Sequence, residues 1–453
     1  MSRFTFKRAS FGALIAGLLA ACGSGETSRG PSGGETKMMA SPEPPPKRAR
    51  ASVYDPLIVE NARAMLAEGR DTFRGDTFGD EAFWGDTLNL HRAIEASVSP
   101  RTALTVGLKV DSEALPDDLI GRIRRNEVNM DDPATTVALL KLNAVIGVQG
   151  FFEESGRMKS IGITCALCHS TVDDSLSPGI GRRLDGWPNR DLDVGKIVSL
   201  APNLDPFAKL LGVDVASVKK VLLSWGPGKY DAELDKDGKA FRPDGKPAAT
   251  LLPPAYGLAG VNLHTYTGFG SVTYWNSYVS NTQMHGSGVF FDARLKEPDQ
   301  FPVSARSGSW NIRSNQDRVT PKLAALHFYQ LSLPPPAPPD SSYDRVAFKR
   351  GQNIFEGKAK CATCHVPPLF TEPGNNLHAP PDIGIDGFQA DRSPTRAYRT
   401  TPLRGLWTHQ KGGFYHDGRF PKLADVIDHY NDHFKLQLSG EEKKDLIQFL
   451  LGL

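Results

Sequence analysis

The stretch Cys165-Ala166-Leu167-Cys168-His169 recurs as Cys361-Ala362-Thr363-Cys364-His365, so the chain carries two copies of C-x-x-C-H. This pattern is the attachment signature of c-type haem, in which both thiols bond to the haem vinyl groups and the histidine binds iron. Cysteines three positions apart lie on one face of a helical turn. A zinc site or a redox-active C-x-x-C pair is the alternative for one copy. Two copies favour two covalently bound haem c groups, on Cys165, Cys168 and His169 and on Cys361, Cys364 and His365.

The first 53 residues predict a signal peptide and a tether. A charged start and the apolar run Phe11–Ala20, too short to span a membrane, are typical of secretion signals. Leu19-Ala20-Ala21-Cys22 fits a bacterial lipobox, in which Cys22 receives a lipid. An ordinary secretory signal with an incidental cysteine is the alternative. We predict a lipoprotein signal over 1–21, a disordered Gly/Ser- and Pro-rich tether over 22–53, and a periplasmic or outer-membrane-anchored protein of a Gram-negative-type bacterium.

Composition describes an ordinary globular protein. The 453 residues carry a net charge of +2, and 40% are hydrophobic, which gives no electrostatic case for nucleic acid. We expect contact with a membrane only through the N-terminal lipid.

The remaining residues predict a mostly all-α protein with an N-terminal helical extension and two cytochrome c-type haem domains with long loops. Asp132-Pro133 predicts a helix start, and Ser439 with Glu442 predicts a capping box for the last helix. The predicted segments are the helical extension (54–149), the first haem domain (150–331), a Pro-rich linker (332–342) and the C-terminal haem domain (343–453).

Three stretches of the last segment resemble one family. They are the second haem motif with the residues that follow it, Thr401-Pro402-Leu403-Arg404, and 414–420 (Phe-Tyr-His-Asp-Gly-Arg-Phe). Together they resemble the bacterial di-haem cytochrome c peroxidase superfamily, which includes the enzyme that matures tryptophan tryptophylquinone. The resemblance implies that Arg404 lies beside the second haem. It also implies peroxide or dioxygen as reactant, a small redox protein or small molecule as electron donor, and a possible calcium ion between the domains.

The second haem departs from the peroxidase pattern. The resemblance implies a methionine as its sixth ligand, but no methionine follows Met284. The corresponding position is Tyr430, as in the maturation enzyme, and His429 and His433 are rival ligands. A haem without a methionine thioether as ligand has a lower reduction potential, so we do not expect the second haem to accept electrons at high potential.

The first haem departs as well. Gly181-Arg182-Arg183 stands where the resemblance implies a histidine that caps the iron. We therefore expect an open first haem, unless His264 or His285 supplies a ligand. The acid/base glutamate of a peroxidase pocket has no clear counterpart, and Gln283 and Glu297 are the nearest polar candidates.

Aromatic residues around position 275 allow a second interpretation. Trp275 resembles the tryptophan that relays electrons between the haems of the peroxidases. With Phe291 it also resembles the aromatic surroundings of dioxygen in the rubber oxygenase branch, which cleaves an apolar isoprenoid. Core packing is the alternative for both side chains. We take Trp275, Phe291 and Gln283 as candidate catalytic residues.

The predicted function is that of a secreted di-haem redox enzyme, which activates peroxide or dioxygen at the first haem and transfers electrons through the second. A plain electron carrier and a dioxygenase of an apolar, isoprenoid-like substrate are the alternatives. The alternating acids of 231–237 could suggest calcium, but they fit an EF-hand poorly and we expect a solvated turn there.

Overall fold

The computed structural model describes residues 52–409 and 411–453 and shows a helix-rich fold with small sheets. The prediction of a helix-rich protein is confirmed, whereas the two cytochrome c domains stay a prediction. The predicted signal peptide and nearly all of the predicted tether lie outside the described residues. Within the described ranges, no helix combines the length and the apolar character needed to cross a membrane.

The helices are mostly short. In chain order they are α1 (Asp55–Gly75), α2 (Leu90–Ser97), α3 (Pro100–Thr105), α4 (Asp117–Arg124), α5 (Pro133–Lys141), α6 (Ala166–His169), α7 (Val194–Ser199), α8 (Asp205–Leu211), α9 (Val215–Trp225), α10 (Leu234–Asp237), α11 (Val272–Thr282), α12 (Pro302–Ser307), α13 (Leu323–Ser332), α14 (Arg345–Glu356), α15 (Phe388–Asp391), α16 (Leu423–His433) and α17 (Gly440–Leu451). Ala82–Thr87 is a π-helical segment, and short 3₁₀ turns cover Ser112–Ala114, Ala293–Lys296, Thr320–Lys322, Cys361–Thr363, Pro380–Ile383 and Leu406–Thr408.

The strands pair only two by two. They are β1 (Val110–Asp111), β2 (Val148–Phe152), β3 (Met158–Ile163), β4 (Ser170–Val172), β5 (Ile180–Gly181), β6 (Arg183–Asp185), β7 (Lys229–Tyr230), β8 (Thr250–Leu251), β9 (Val289–Phe291) and β10 (Asn311–Arg313). β1 pairs with β5 in parallel, and the antiparallel pairs are β2–β3, β4–β6, β7–β8 and β9–β10. Strand β4 follows the first haem motif directly and pairs with β6, so the chain between them turns back on itself.

Both predicted helix starts are confirmed. The side chain of Asp132 accepts a hydrogen bond from the backbone N–H of Ala134 at the start of α5. Ser439 and Glu442 form the reciprocal capping box of α17. These local hydrogen bonds satisfy N–H groups that a helix leaves without an intrahelical partner.

Two helix pairs pack closely because a glycine faces the partner backbone. A Cβ atom added at Gly69 of α1 would lie 2.0 Å from the carbonyl oxygen of Ala325 in α13. A Cβ at Gly351 of α14 would lie 2.1 Å from the carbonyl oxygen of Asp445 in α17. The first pair packs beside the first haem motif, and the second pair forms the wall behind the second motif.

The two haem motifs lie in different apolar clusters. Leu167 and Cys168 pack in the largest cluster, together with the helices of the N-terminal part and α9. Cys361 and Ala362 pack against the cluster of α14, α16 and α17. Even so, Tyr54–Leu453 form one compact unit.

A buried ion-pair network joins residues from the two predicted haem domains. Arg392 is fully buried, and its guanidinium contacts Asp231 at 2.9 Å and Asp237 at 2.8 Å. Lys236 is also fully buried and pairs with Glu233. The expectation of a solvated turn over 231–237 is therefore wrong, because α10 is packed under distant parts of the chain that the local pattern does not reveal.

Candidate functional site

The first haem motif opens into a cavity of about 290 Å³. Cys165, Cys168 and His169 line it, and most of the other lining side chains are apolar. α6 presents the motif, and α9 and α11 form further parts of the wall. A deep apolar cavity with few polar groups is the usual shape of a cofactor site.

His169 is held in the orientation that a metal ligand needs. Its Nδ1 donates to the carbonyl oxygen of Pro253 at 3.2 Å, which leaves the Nε2 lone pair to bind iron. Burial lowers the pKa of His169 to about 4, so the ring is neutral at neutral pH. A neutral ring with a hydrogen-bonded second nitrogen is the common state of a ligating histidine.

The thiols of the first motif do not resemble a redox pair. Burial raises the pKa of Cys165 and of Cys168 to about 12, so both are protonated at neutral pH. Redox-active C-x-x-C pairs instead lower the pKa of a thiol. Together with the cavity and the oriented histidine, these thiols fit a covalently bound haem better than a disulfide centre.

An acid that the sequence analysis did not select lies at the cavity wall. Asp235 lines the cavity, and its Oδ1 accepts a hydrogen bond from the Tyr278 hydroxyl at 3.0 Å. Its Oδ2 is buried and has no hydrogen-bond partner among the described residues. Burial raises the pKa of Asp235 to about 6, although the charge of Lys236 opposes the rise. Such a carboxyl group can exchange a proton near neutral pH.

The structure brings two of the three candidate catalytic residues to this cavity. Trp275 and Gln283 line it, and the buried Nε1 of Trp275 has no partner in the described part of the chain. Gln283 donates from Nε2 to the carbonyl oxygen of Ala232 at 3.3 Å. Phe291 is 55% exposed and does not line the cavity, and Glu297 is exposed as well.

Both arginines of the loop after the first motif are engaged elsewhere. Arg182 pairs with Asp173 at 2.8 Å, and Arg183 pairs with the buried Asp111 at 2.9 Å. Neither arginine is among the residues that line the cavity.

Two histidines besides His169 line the cavity. His264 bonds through Nε2 to the carbonyl oxygen of Val261 at 3.0 Å. The ring of His285 stacks on Phe83 with centroids 3.6 Å apart. His285 also has a left-handed backbone with φ of +63°, a conformation that non-glycine residues hold at an energetic cost. His285 is thus a further imidazole at the wall of the first cavity, held there by stacking.

The second haem motif shows the same histidine orientation. His365 bonds through Nδ1 to the carbonyl oxygen of Phe370 at 3.1 Å. Burial lowers the pKa of His365 and raises the pKa of Cys361 to about 11. Phe355 and Phe370 pack beside this motif, so the surroundings are again apolar.

The candidate sixth ligands lie on α16 with different partners. Burial raises the pKa of Tyr430, and the thiols of Cys361 and Cys364 add to the rise. His429 and His433 bond through Nε2 to the carbonyl oxygens of Ile383 and Asp382, at 2.9 and 3.0 Å. The assignment of Tyr430 and of its rivals stays a prediction.

Arg404 is exposed, and the neighbouring Leu403 packs against the second apolar cluster. Its predicted place beside the haem stays a prediction.

The described residues show no cluster of oxygen ligands that would suit the predicted calcium ion. Within 52–409 and 411–453, Cys364, Glu372 and His378 are the group whose ligand atoms lie within 4.8 Å of one another. Cys364 belongs to the second haem motif, and His378 bonds to Glu372 at 2.7 Å. Calcium prefers clustered oxygen ligands, so calcium stays a prediction.

Comparison with known proteins supports the resemblance to the di-haem cytochrome c peroxidase superfamily. The chain is 35% identical over 119 residues to methylamine utilization protein MauG of Methylorubrum extorquens. The match covers 22% of this chain and spans one third (33%) of that protein's length. No family model matches the sequence.

A solved structure, hydrazine synthase of Kuenenia stuttgartiensis pressurized with 20 bar xenon, overlaps 45% of this chain and 72% of its own. The identity is 20% and the TM-score 0.28, so we take neither fold nor function from it.

Proposed function

We propose that this chain is a di-haem c-type redox enzyme of the peroxidase superfamily, secreted to the periplasm and held there by an N-terminal lipid. The observation that supports it most is the first cavity, where His169, two protonated thiols and the carboxyl group of Asp235 meet in apolar surroundings. An electron carrier needs no acid with a pKa near neutrality at its cofactor. A peroxide-reducing enzyme does, because reduction of peroxide to two waters consumes two protons and two electrons.

Each residue of the first site has a role in this proposal. Cys165 and Cys168 anchor the haem, and His169 offers Nε2 to its iron. Bound there, the haem supplies the iron at which peroxide or dioxygen is activated. Asp235, whose pKa is raised to about 6, would exchange a proton with the substrate through Oδ2, while Tyr278 fixes the carboxyl group through Oδ1. Gln283 and Trp275 complete the wall, and Trp275 is the proposed electron relay.

The second site stores and transfers electrons in this proposal. Cys361, Cys364 and His365 hold the second haem, with Tyr430 as its sixth ligand. A small redox protein or a small molecule donates the electrons.

A plain electron carrier is the second candidate, and His285 favours it. This imidazole is fixed at the wall of the first cavity by stacking on Phe83. If it binds the first iron, both haems are six-coordinate and no site is open to peroxide.

Electron paramagnetic resonance of the oxidised, haem-loaded protein separates the two candidates. The enzyme proposal predicts one high-spin and one low-spin ferric signal, and a rapid loss of the high-spin signal with peroxide. In Asp235→Asn the same spectrum is expected, but the reaction with peroxide slows by about 10²-fold or more, as for loss of a general acid. Glu297→Gln, which changes an exposed acid, is the control.

Two low-spin signals in the wild type, with a high-spin signal appearing in His285→Ala, would establish the carrier instead. Unchanged reactivity of Asp235→Asn would remove this residue from the mechanism.

A further inference from the structure

Arg190 and Lys229 are two partly buried cations without an ion-pair partner in the described part of the chain, and their backbones lie close together: a Cβ added at Gly228 would lie 2.7 Å from the carbonyl oxygen of Arg190. Nε and Nη1 of Arg190 are buried and have no hydrogen-bond partner there. Lys229, at the start of β7, donates to the backbone carbonyl oxygen of Asp417 at 2.9 Å. Burial lowers the pKa of Lys229. The charge of Asp417 opposes this shift, and the charge of Arg190 adds to it. An uncompensated cation in such a position is costly unless an anion accompanies it.

The neighbouring carboxylates are already used. Asp417 binds Arg242 at 2.7 Å and Arg419 at 2.9 Å. Asp191 binds Lys109 at 2.7 Å and the exposed Lys411 at 2.6 Å. The chain therefore supplies cations and neutral donors around Arg190, but no free carboxylate among the described residues.

The other groups around Arg190 are neutral. Its charge acts on the hydroxyls of Tyr256 and Tyr266 and on the ring of His409. Burial lowers the pKa of His409 to about 3, so this ring carries no charge at neutral pH. Next to Tyr266, the buried His416 has an Nε2 atom without a partner in 52–409 and 411–453.

This cluster lies directly beside the first haem motif. The backbone N–H of Asn189 donates to the carbonyl oxygen of Cys168 at 2.9 Å, and Arg190 follows in the chain. A Cβ added at Gly412 would lie 3.7 Å from Nη1 of Arg190, so residues from both predicted haem domains surround the guanidinium.

We propose that Arg190 and Lys229 form a binding site for an oxyanion between the two halves of the molecule. A guanidinium and an ammonium with neutral hydroxyl and imidazole groups around them suit a carboxylate or a phosphate. The anion has two possible sources, a propionate of a bound haem or a free oxyanion from solution. The site does not depend on whether the first haem reacts with peroxide.

The test uses the full haem-loaded protein and the variants Arg190→Gln, Arg190→Lys and Lys411→Gln. Lys411→Gln is the matched control, since it removes a nearby exposed charge. The readouts are the midpoint potentials of both haems, the resonance Raman bands of the propionates, and the unfolding temperature with and without inorganic phosphate.

If a haem propionate occupies the site, Arg190→Gln lowers one midpoint potential, because a lost positive charge favours the ferric state. It also shifts a propionate Raman band, and neither effect depends on phosphate. If a free oxyanion binds, phosphate raises the unfolding temperature of the wild type and of Lys411→Gln but not of Arg190→Gln, and the Raman bands stay unchanged.

If Arg190→Gln does not fold, Arg190→Lys takes its place in the test. This variant keeps the positive charge but moves the donor atoms, so we expect the same shifts at smaller size. The proposal is wrong if the foldable Arg190 variant matches Lys411→Gln in all three readouts.

Discussion

Asp235 combines burial with a carboxylate oxygen that has no hydrogen-bond partner among the described residues. Its pKa rises from 3.8 to about 6 through burial. Below about pH 4 the carboxyl group is protonated in both the folded and the unfolded chain. Between about pH 4 and 6 the unfolded chain has released this proton while the folded chain still holds it, so the folded state loses stability across that window and the loss is complete above about pH 6.

We therefore predict that Asp235→Asn stabilises the protein relative to the wild type at about pH 7 but not at about pH 4. The expected gain is on the order of 2 kcal/mol. Chemical unfolding at both pH values measures it. A gain of equal size at both pH values would show that desolvation of the charge is not the cause.

Asp231 provides the contrast at this scale. Burial raises the pKa of Asp231 to about 6 as well, but its carboxylate binds Arg392 at 2.9 Å. Asp231→Asn removes an ion-pair partner from a buried guanidinium, so we expect it to lose stability at about pH 7, where Asp235→Asn gains it.

The sequence analysis could select residues whose proposed roles are local, but not those that packing brings together. The cysteines and the histidine of each motif stand within five residues of one another, so a haem site could be predicted from each motif alone. Asp235 looks like any acid of a polar turn, because Tyr278 and the cavity wall come from segments distant in sequence. Only folding shows that its carboxyl group faces a cavity.

At the scale of secondary structure, the contact between α14 and α17 depends on the missing side chain of Gly351. Gly351→Ala places a Cβ 2.1 Å from a backbone oxygen, so one helix has to move. We predict a loss of about 1–3 kcal/mol of unfolding free energy, as for other overpacked sites, measured by chemical unfolding.

Gly440→Ala is the control for that prediction. Gly440 lies in the first turn of α17, and an added Cβ would meet no atom within 4 Å. The substitution should be neutral or gain up to about 1 kcal/mol. Equal losses in both variants would contradict the packing argument.

Helix starts were predictable, whereas helix contacts were not. Ser439 and Glu442 stand three residues apart and satisfy one another's backbone groups, so the pattern is complete within one turn. Gly351 gives no comparable signal, since a glycine in a helix can equally mark an end or a kink.

At the scale of the whole molecule, Arg392 ties the two predicted haem domains together from inside. We predict that Arg392→Met costs about 3–5 kcal/mol, because Asp231 and Asp237 stay buried without a cation. Thermal unfolding of the haem-loaded protein measures the loss. The double variant with Asp237→Asn should recover part of it. Additive losses in the double variant would show that the two charges do not interact.

The same ion pair has a consequence for biosynthesis. Arg392 lies 155 residues after Asp237. Chains are made from the amino terminus at roughly 5–20 residues per second, so these partners emerge ~8–30 s apart. Throughout that interval Asp231 and Asp237 lack the guanidinium that neutralises them in the folded protein. The first half of the chain therefore cannot complete this part of its interior until the second half has been made.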